Sequence, residues 1–318
     1  MKYRFLTYTE LAAILEEEGL SPEAYAVKRE AFIAGISEDA VYAELDRRIA
    51  VTRRALIKGL ESPQFSRSGL TRGAAAVFAA SPRRLIRDDL YRRAVTYALS
   101  INEVNACGGK VVSFPTAGSS GIVPGVIWAW WDSRVKDAEL EPGIGETAAD
   151  KKPLPPFFPP PYDERLRGAF LIAGLAGVLI AQGATLAGAE GGCQAECGAA
   201  GAMAACALAR LEGLTPEDCF SAAALSLKNS LGLACDPVAG LVEVPCVKRN
   251  GFLAVNALTA VDLTLSGITS IIPFDEVVWA MKQIGDVMPP SVKETSRGGL
   301  ALTPTGLSYR TAPDGLSI

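Results

Sequence analysis

Histidine is absent from all 318 residues. That absence removes a large part of catalytic chemistry, because no Ser-His-Asp triad, Cys-His dyad or histidine-ligated zinc site can be assembled from this polypeptide alone. Aromatic residues are scarce, at 7% against 49% hydrophobic residues overall. The core must therefore be built from Ala, Leu, Val and Ile, with Gly for close approach, which favours packed helices. Positive charge is not in excess either: the formal net charge is −4, and the basic residues form no cluster interleaved with aromatics. Such a chain offers no field to hold a polyanion, so nucleic acid is excluded as an expected partner. The N-terminus lacks the apolar core of a signal peptide, since Met1 to Phe5 runs into Glu10 and then Glu16, Glu17 and Glu18. A cytoplasmic location is expected.

One long apolar run is present, residues 169–189, broken only by Gln182 and Thr185. It is long enough to span a bilayer. Its glycines, Gly174, Gly177, Gly183 and Gly188, and the lack of an aromatic belt or basic flank point instead to a helix buried on all sides of a globular fold, and no membrane is expected. The length suits one large domain or two intimately packed ones. The chain reads as a single, mainly α domain over 1–318, with N-terminal helices over 1–60, a proline-rich surface insertion over 133–165 and a cysteine-bearing part over 166–318.

The helical reading rests on stop and start signals. Thr9 caps a helix that ends at Gly19, Ser21-Pro22-Glu23 opens a second that Gly35 closes, and Ser37-Glu38-Asp39 opens a third, amphipathic one. Helical patterning returns over 88–104, and 110–114 is a short β-prone run. The segment from Lys151 to Pro161 is so rich in proline that it must be extended and at the surface. Gly213 ends the small-residue helix that follows the first cysteines, Thr215-Pro216 starts another, 232–250 reads as loop, and helices follow over 256–265 and from Phe274 to about Val287. Between the β-prone run and the next helix lies Pro115-Thr116-Ala117-Gly118-Ser119-Ser120-Gly121. Small residues there let backbone N–H groups converge, Thr116, Ser119 and Ser120 add hydroxyls, and the following helix contributes its positive end, a combination that holds carboxylates or phosphates or else forms an ordinary turn. No Gly-Lys-Ser/Thr closes the loop, so it is not a Walker motif.

Seven cysteines, an odd number without a secretory signal, argue for reduced thiols rather than a disulfide framework. Cys206 and Cys219 sit in apolar helical contexts and read as packing. Cys193, Cys235 and Cys246 each stand at a glycine or proline break, where the backbone can bend toward a common point, and spacing alone balances ligation against packing. As ligands, thiolates without histidine suit zinc or an iron–sulfur cluster. Cys197, four residues after Cys193, is either a fourth ligand or a helix-face neighbour.

Four motifs in order then carry a resemblance: the Pro115 to Gly121 loop; Gly188-Ala189-Glu190-Gly191-Gly192-Cys193-Gln194-Ala195-Glu196; the stretch from Leu231 to Asn250 with Cys235-Asp236-Pro237 and Pro245-Cys246-Val247-Lys248-Arg249; and Lys293-Glu294-Thr295-Ser296-Arg297-Gly298-Gly299. Together with Ser68-Gly69-Leu70-Thr71 they resemble the alpha chain of the bacterial iron–sulfur-dependent L-serine dehydratases, over nearly the whole chain. The resemblance implies a helical catalytic domain with a [4Fe–4S] cluster held by Cys193, Cys235 and Cys246, and no pyridoxal phosphate. It further implies Lewis-acid activation of the L-serine hydroxyl while a base removes the Cα proton, giving aminoacrylate and then pyruvate and ammonia. Thr116, Ser119, Ser120 and Gly121 with Lys293 or Arg297 are the expected holders of the substrate carboxylate. Single-chain members of the family carry a histidine-bearing second part that two-chain members supply as a separate beta chain, so the resemblance implies a beta chain in an expected oligomer and leaves the base open between that partner and the in-chain candidates Lys228 and Glu190. The proline-rich insertion departs from the family, and Cys197 takes no ligand role. Two rivals are a related lyase for L-threonine or L-cysteine and a metal-free regulatory subunit.

Overall fold

Small polar residues start the N-terminal helices and left-handed glycines end them. The computed structural model describes residues 3–83, 85, 87–135 and 154–310. Helix α1 (Tyr8–Glu18) is capped by Thr7, α2 (Pro22–Ala34) by Ser21 and α3 (Glu38–Glu61) by Ser37, and Gly19 and Gly35 close the first two at φ of 62° and 65°. The cap of α1 is thus two residues earlier than Thr9, whose hydroxyl instead donates to Asp275 at 2.9 Å and ties the N-terminus to a distant helix. A short α4 (Ala74–Ala80) follows a non-helical connection over 62–73. Its first amides, Ala74 and Ala75, donate to the buried Glu103 carboxylate of α5 (Asp89–Ala106), at 2.5 and 3.1 Å. Because that cap comes from another helix, α4 has no local start signal.

The core is a stack of alanine-rich helices. Helix α6 (Ile122–Val135) packs on α5, α7 (Glu164–Gly183) packs on α9 (Ala199–Leu211), and α10 (Pro216–Lys228) and α11 (Cys246–Leu265) lie against α9. Seven alanines of α9 are buried, and their small size lets neighbouring backbones approach closely. The apolar run is α7, buried over two-thirds of its length; it stops at Gly183 and exposes Gly174 and Gln182, so it is a core helix with one face at the surface rather than one enclosed on all sides. Short α8 (Gly188–Gly191), the amphipathic α12 (Phe274–Val287) and short α13 (Pro304–Ser308) complete the order. Among the described residues there is no strand, only two isolated bridges, so the β-prone run at 110–114 is irregular loop. Helix α11 begins at Cys246, ten residues before the apolar pattern announces it.

Residues 136–153 of the proline-rich insertion, including Lys151, Lys152 and Pro153, lie outside the described residues. Of its described part, 154–163 is extended, as proline demands, while 133–135 belong to α6 and 164–165 to α7, so the insertion is shorter at both ends than the 133–165 expected. It is also anchored. The fully buried Arg53 of α3 pairs bidentately with Asp132 of α6 at 2.9 Å, donates to the Pro156 carbonyl at 2.8 Å, and lies over the rings of Trp128 and Phe158.

Candidate active site

Cys193 sits at a break between helices. Helix α8 ends at Gly191, Gly192 adopts a φ of 75° with Met288 and the Leu233 carbonyl against it, and residues 194–198 then wind as a π turn before α9 continues. A side chain at Gly192 would be strained and would collide with the methionine sulfur, which explains the glycine. A π turn wedges one extra residue into the helical register, a feature concentrated at functional sites. Fully buried Gln194 fixes it: its Nε2 donates to the Met281 carbonyl at 2.9 Å, its Oε1 accepts from the Gly232 amide at 2.9 Å, and its own amide donates to the Leu233 carbonyl at 3.1 Å.

Those bonds dock the segment that carries Cys235. The Cys235 amide in turn donates to the Val292 carbonyl at 2.8 Å, and the Glu294 amide donates to the Cys235 carbonyl at 2.7 Å, forming a parallel bridge to Lys293. Asp236 accepts from the Leu300 amide at 2.8 Å, and the Ser296 hydroxyl donates to the Pro237 carbonyl at 2.8 Å. Ala239, Glu294 and Ser296 are the three non-glycine residues with positive φ among the described residues, at 56°, 61° and 53°. All three belong to these two loops. Each costs on the order of 1–3 kcal/mol, and such strain gathers where the surroundings hold a working geometry.

Cys246 opens α11, and Asn250, one turn on, joins it to the hydroxyl loop. The Asn250 side chain accepts from the Gly121 amide at 3.0 Å and donates to the carbonyls of Gly118 and Cys246 at 2.8 and 2.9 Å. Asn102 of α5 supports the loop from the other side through the carbonyls of Ala117 and Gly118. Glu243, also buried, accepts from Ser68 and Thr71 at 2.7 and 2.6 Å, so the 68–71 turn is strapped across the segment between Cys235 and Cys246.

All three cysteines are buried, Cys193 at 1% exposure, Cys235 at 3% and Cys246 at 6%. Burial pushes the Cys235 thiol well up and the Cys246 thiol to about 12, and in both the next cause is the charge of Cys193, so the three sulfurs share one electrostatic locus. Cys193 goes the other way, below the usual thiol range, because Cys197 donates to it and Arg249 lies beside it. Cys197 is accordingly held in the thiol form, first by that hydrogen bond and then by burial. Glu196, within the π turn, accepts from the Cys235 thiol at 3.7 Å. Burial raises its carboxyl, against a Thr116 hydrogen bond that lowers it, and Glu294 raises it further. Cys206 and Cys219 are fully enclosed by helices, away from these loops.

The expected site residues separate into two groups. Cys193, Cys235, Cys246, Thr116 and the Lys293 backbone come together around Glu196, and Arg297 is exposed in the same 293–299 turn as Lys293. Ser119 and Ser120 are fully buried, with the Ser119 hydroxyl donating to the Phe114 carbonyl at 2.8 Å and the Ser120 hydroxyl accepting from Asn102 at 3.4 Å. The amides of Ser119, Ser120 and Gly121 are likewise taken, leaving Ala117 and Gly118 as the first amides of the turn. Glu190 is exposed and accepts from Thr185 at 2.6 Å. Lys228 ends α10 and lines a shallow surface depression with Asn229, Asn256 and Thr259. Sequence reasoning passed over Glu196, Arg249, Asn250 and Glu243; only the position of Glu196 three residues after Cys193 offered a local signal.

Fold and site together define an all-helical protein in which buried thiols from three chain segments meet a hydroxyl-bearing turn and a strained, charged loop. A sequence profile described as Serine dehydratase alpha chain matches residues 11–301. The chain is 41% identical to a probable L-serine dehydratase alpha chain of Bacillus subtilis (strain 168), over 95% of this chain and 93% of that protein. It is 36% identical to an L-serine dehydratase alpha chain of Peptoniphilus asaccharolyticus, over 96% of each. With L-serine dehydratase 1 of Escherichia coli (strain K12) the identity is 39% over 65% of this chain and 40% of that longer protein. The chain belongs to the serine dehydratase alpha chain family.

Proposed function

We propose that this chain is the catalytic subunit of an L-serine ammonia-lyase, converting L-serine to pyruvate and ammonia with a [4Fe–4S] cluster held by Cys193, Cys235 and Cys246. The observation that carries the cluster reading is the donor set: three buried sulfurs on separate segments, electrostatically coupled, with no histidine to complete a mixed site. Among the described residues no three His, Cys, Asp or Glu side chains group tightly enough for one metal ion. A cluster, in which each thiolate takes a different iron, asks for a wider spread. Three cysteines would hold such a cluster and leave one iron without a protein ligand, which would supply Lewis-acid assistance to departure of the serine hydroxyl.

The chain's own residues do the rest. Thr116 and the amides of Ala117 and Gly118 receive the substrate carboxylate, with Lys293 or Arg297 from the facing loop, while Ser119, Ser120 and Gly121 shape the turn. Glu196 would accept the proton that Cys235 must lose to serve as a ligand, since its Oε2 already accepts from that thiol, and would pass it to solvent. The elimination breaks Cα–H and Cβ–O, expels water and leaves an enamine that isomerises to an imine and hydrolyses to pyruvate and ammonia. Glu196 is the in-chain carboxylate best placed for proton transfer; Glu190 and Lys228 face elsewhere. A histidine-bearing beta chain is the alternative source of the base, in keeping with the alpha-chain names of the relatives.

The test is pyruvate release by anaerobically reconstituted chain, with and without a candidate beta chain, on L-serine, L-threonine and L-cysteine. Turnover of serine above the other two is expected. A preference for cysteine would overturn the serine assignment, and no turnover with any partner would favour the regulatory reading.

A further inference from the structure

The structure assigns to Arg249 a positioning role: it clamps the Cys235 turn onto the start of α11 and places one fixed positive charge beside the ligand sulfurs of Cys193 and Cys246. This rests on the cluster reading above. Arg249 stands three residues after Cys246, on the same face of α11. Its Nη1 donates to the Ala234 carbonyl at 2.6 Å, and its Nη2 lies 3.5 Å from Asp236 Oδ1, so the guanidinium grips the residues on both sides of Cys235. The side chain is only 17% exposed, and the Cys193 sulfur lies against it. One planar fork therefore touches all three ligand-bearing segments: its own helix with Cys246, the Cys235 turn, and Cys193.

Asp236 extends the clamp. Its Oδ2 accepts from the Leu300 amide at 2.8 Å, and Gly299, at a φ of 58°, is held directly against it, where a Cβ would collide with the carboxylate. The loop that carries Lys293 and Arg297 is thereby referred to the same guanidinium. Lysine keeps the charge but cannot reproduce the fork, and glutamine loses the charge. A nearby cation stabilises the more negative, reduced form of a cluster, so its loss moves the reduction potential in the negative direction.

The experiment compares wild type, Arg249→Gln and Arg249→Lys after anaerobic reconstitution, reading iron content, midpoint potential by dye-mediated titration, and iron release to a chelator. Arg249→Gln is expected to load less than about a third of the wild-type iron, or to load it at a more negative potential. Arg249→Lys is expected to keep the wild-type potential while losing iron several-fold faster. Full loading of Arg249→Gln at the wild-type potential overturns the assignment. Should Arg249→Gln fail to fold by circular dichroism, Arg249→Lys decides: faster iron release supports the clamp and wild-type release overturns it. A wild-type chain that takes up no iron would count against the cluster reading itself, a different failure from these.

Discussion

Glu190 and Glu196 lie six positions apart in one motif, and their surroundings separate them. Glu190 is exposed and held by Thr185, whereas Glu196 meets the Cys235 thiol, Thr116 and Glu294. Substituting Glu196→Gln should lower kcat on L-serine by about 100-fold, the scale of a lost proton-transfer group, while Glu190→Gln should stay close to wild type. Steady-state pyruvate assays on both variants check this, and equal losses would contradict it. Asn250 makes a second residue-scale prediction. It makes three buried hydrogen bonds that join Cys246 to the 116–121 turn, so Asn250→Ala should cost roughly 2–4 kcal/mol in urea unfolding. The cysteines were visible in the sequence because glycine and proline breaks surround them. Glu196 and Asn250 were not, because Glu196 meets Cys235 and Thr116 across 39 and 80 residues of sequence and Asn250 meets Gly121 across 129.

Helices whose caps are local could be read directly: Ser21, Ser37 and Thr215 each accept from the amide three residues on, and Gly213 ends α9. Elements fixed by distant partners could not. Helix α4 takes its cap from Glu103, the π turn depends on Gln194 reaching 232 and 281, and α11 starts at Cys246 because the segment before it is strapped by Ser68 and Thr71. The 293–302 loop belongs to this class, since its shape comes from the bridge to Cys235 and from Asp236. Gly299→Ala should therefore strain the backbone and push Asp236 aside, lowering kcat/KM by about 10- to 100-fold through misplacement of the loop. The melting temperature of the helical core should stay within a few degrees of wild type; a variant with unchanged kcat/KM would show that the loop does not touch substrate.

The whole molecule is held by an alanine-rich core with one buried ion pair at its edge. Arg53, 0% exposed, and Asp132, 6% exposed, join α3 to α6, Tyr97 donates to the same carboxylate at 2.8 Å, and the proline-rich segment closes over them. Arg53→Met should destabilise the chain by about 3–5 kcal/mol by leaving a buried carboxylate unpaired, and adding Asp132→Leu should recover most of that; paired urea curves measure both. The overall helical class followed from composition, since few aromatics and many small residues leave helix packing as the means of burial. The anchoring of the insertion did not follow, because it depends on Arg53 and Arg54, which lie about 100 residues earlier in the chain and meet Pro156, Phe157 and Phe158. The central claim is that three cysteines from separate segments hold one iron–sulfur cluster. Its most direct test is iron and acid-labile sulfide per chain in protein purified without oxygen, for wild type and Cys235→Ala. The account predicts about four of each in a brown wild type and their loss, with the colour, in the variant; a colourless or zinc-loaded wild type would contradict it.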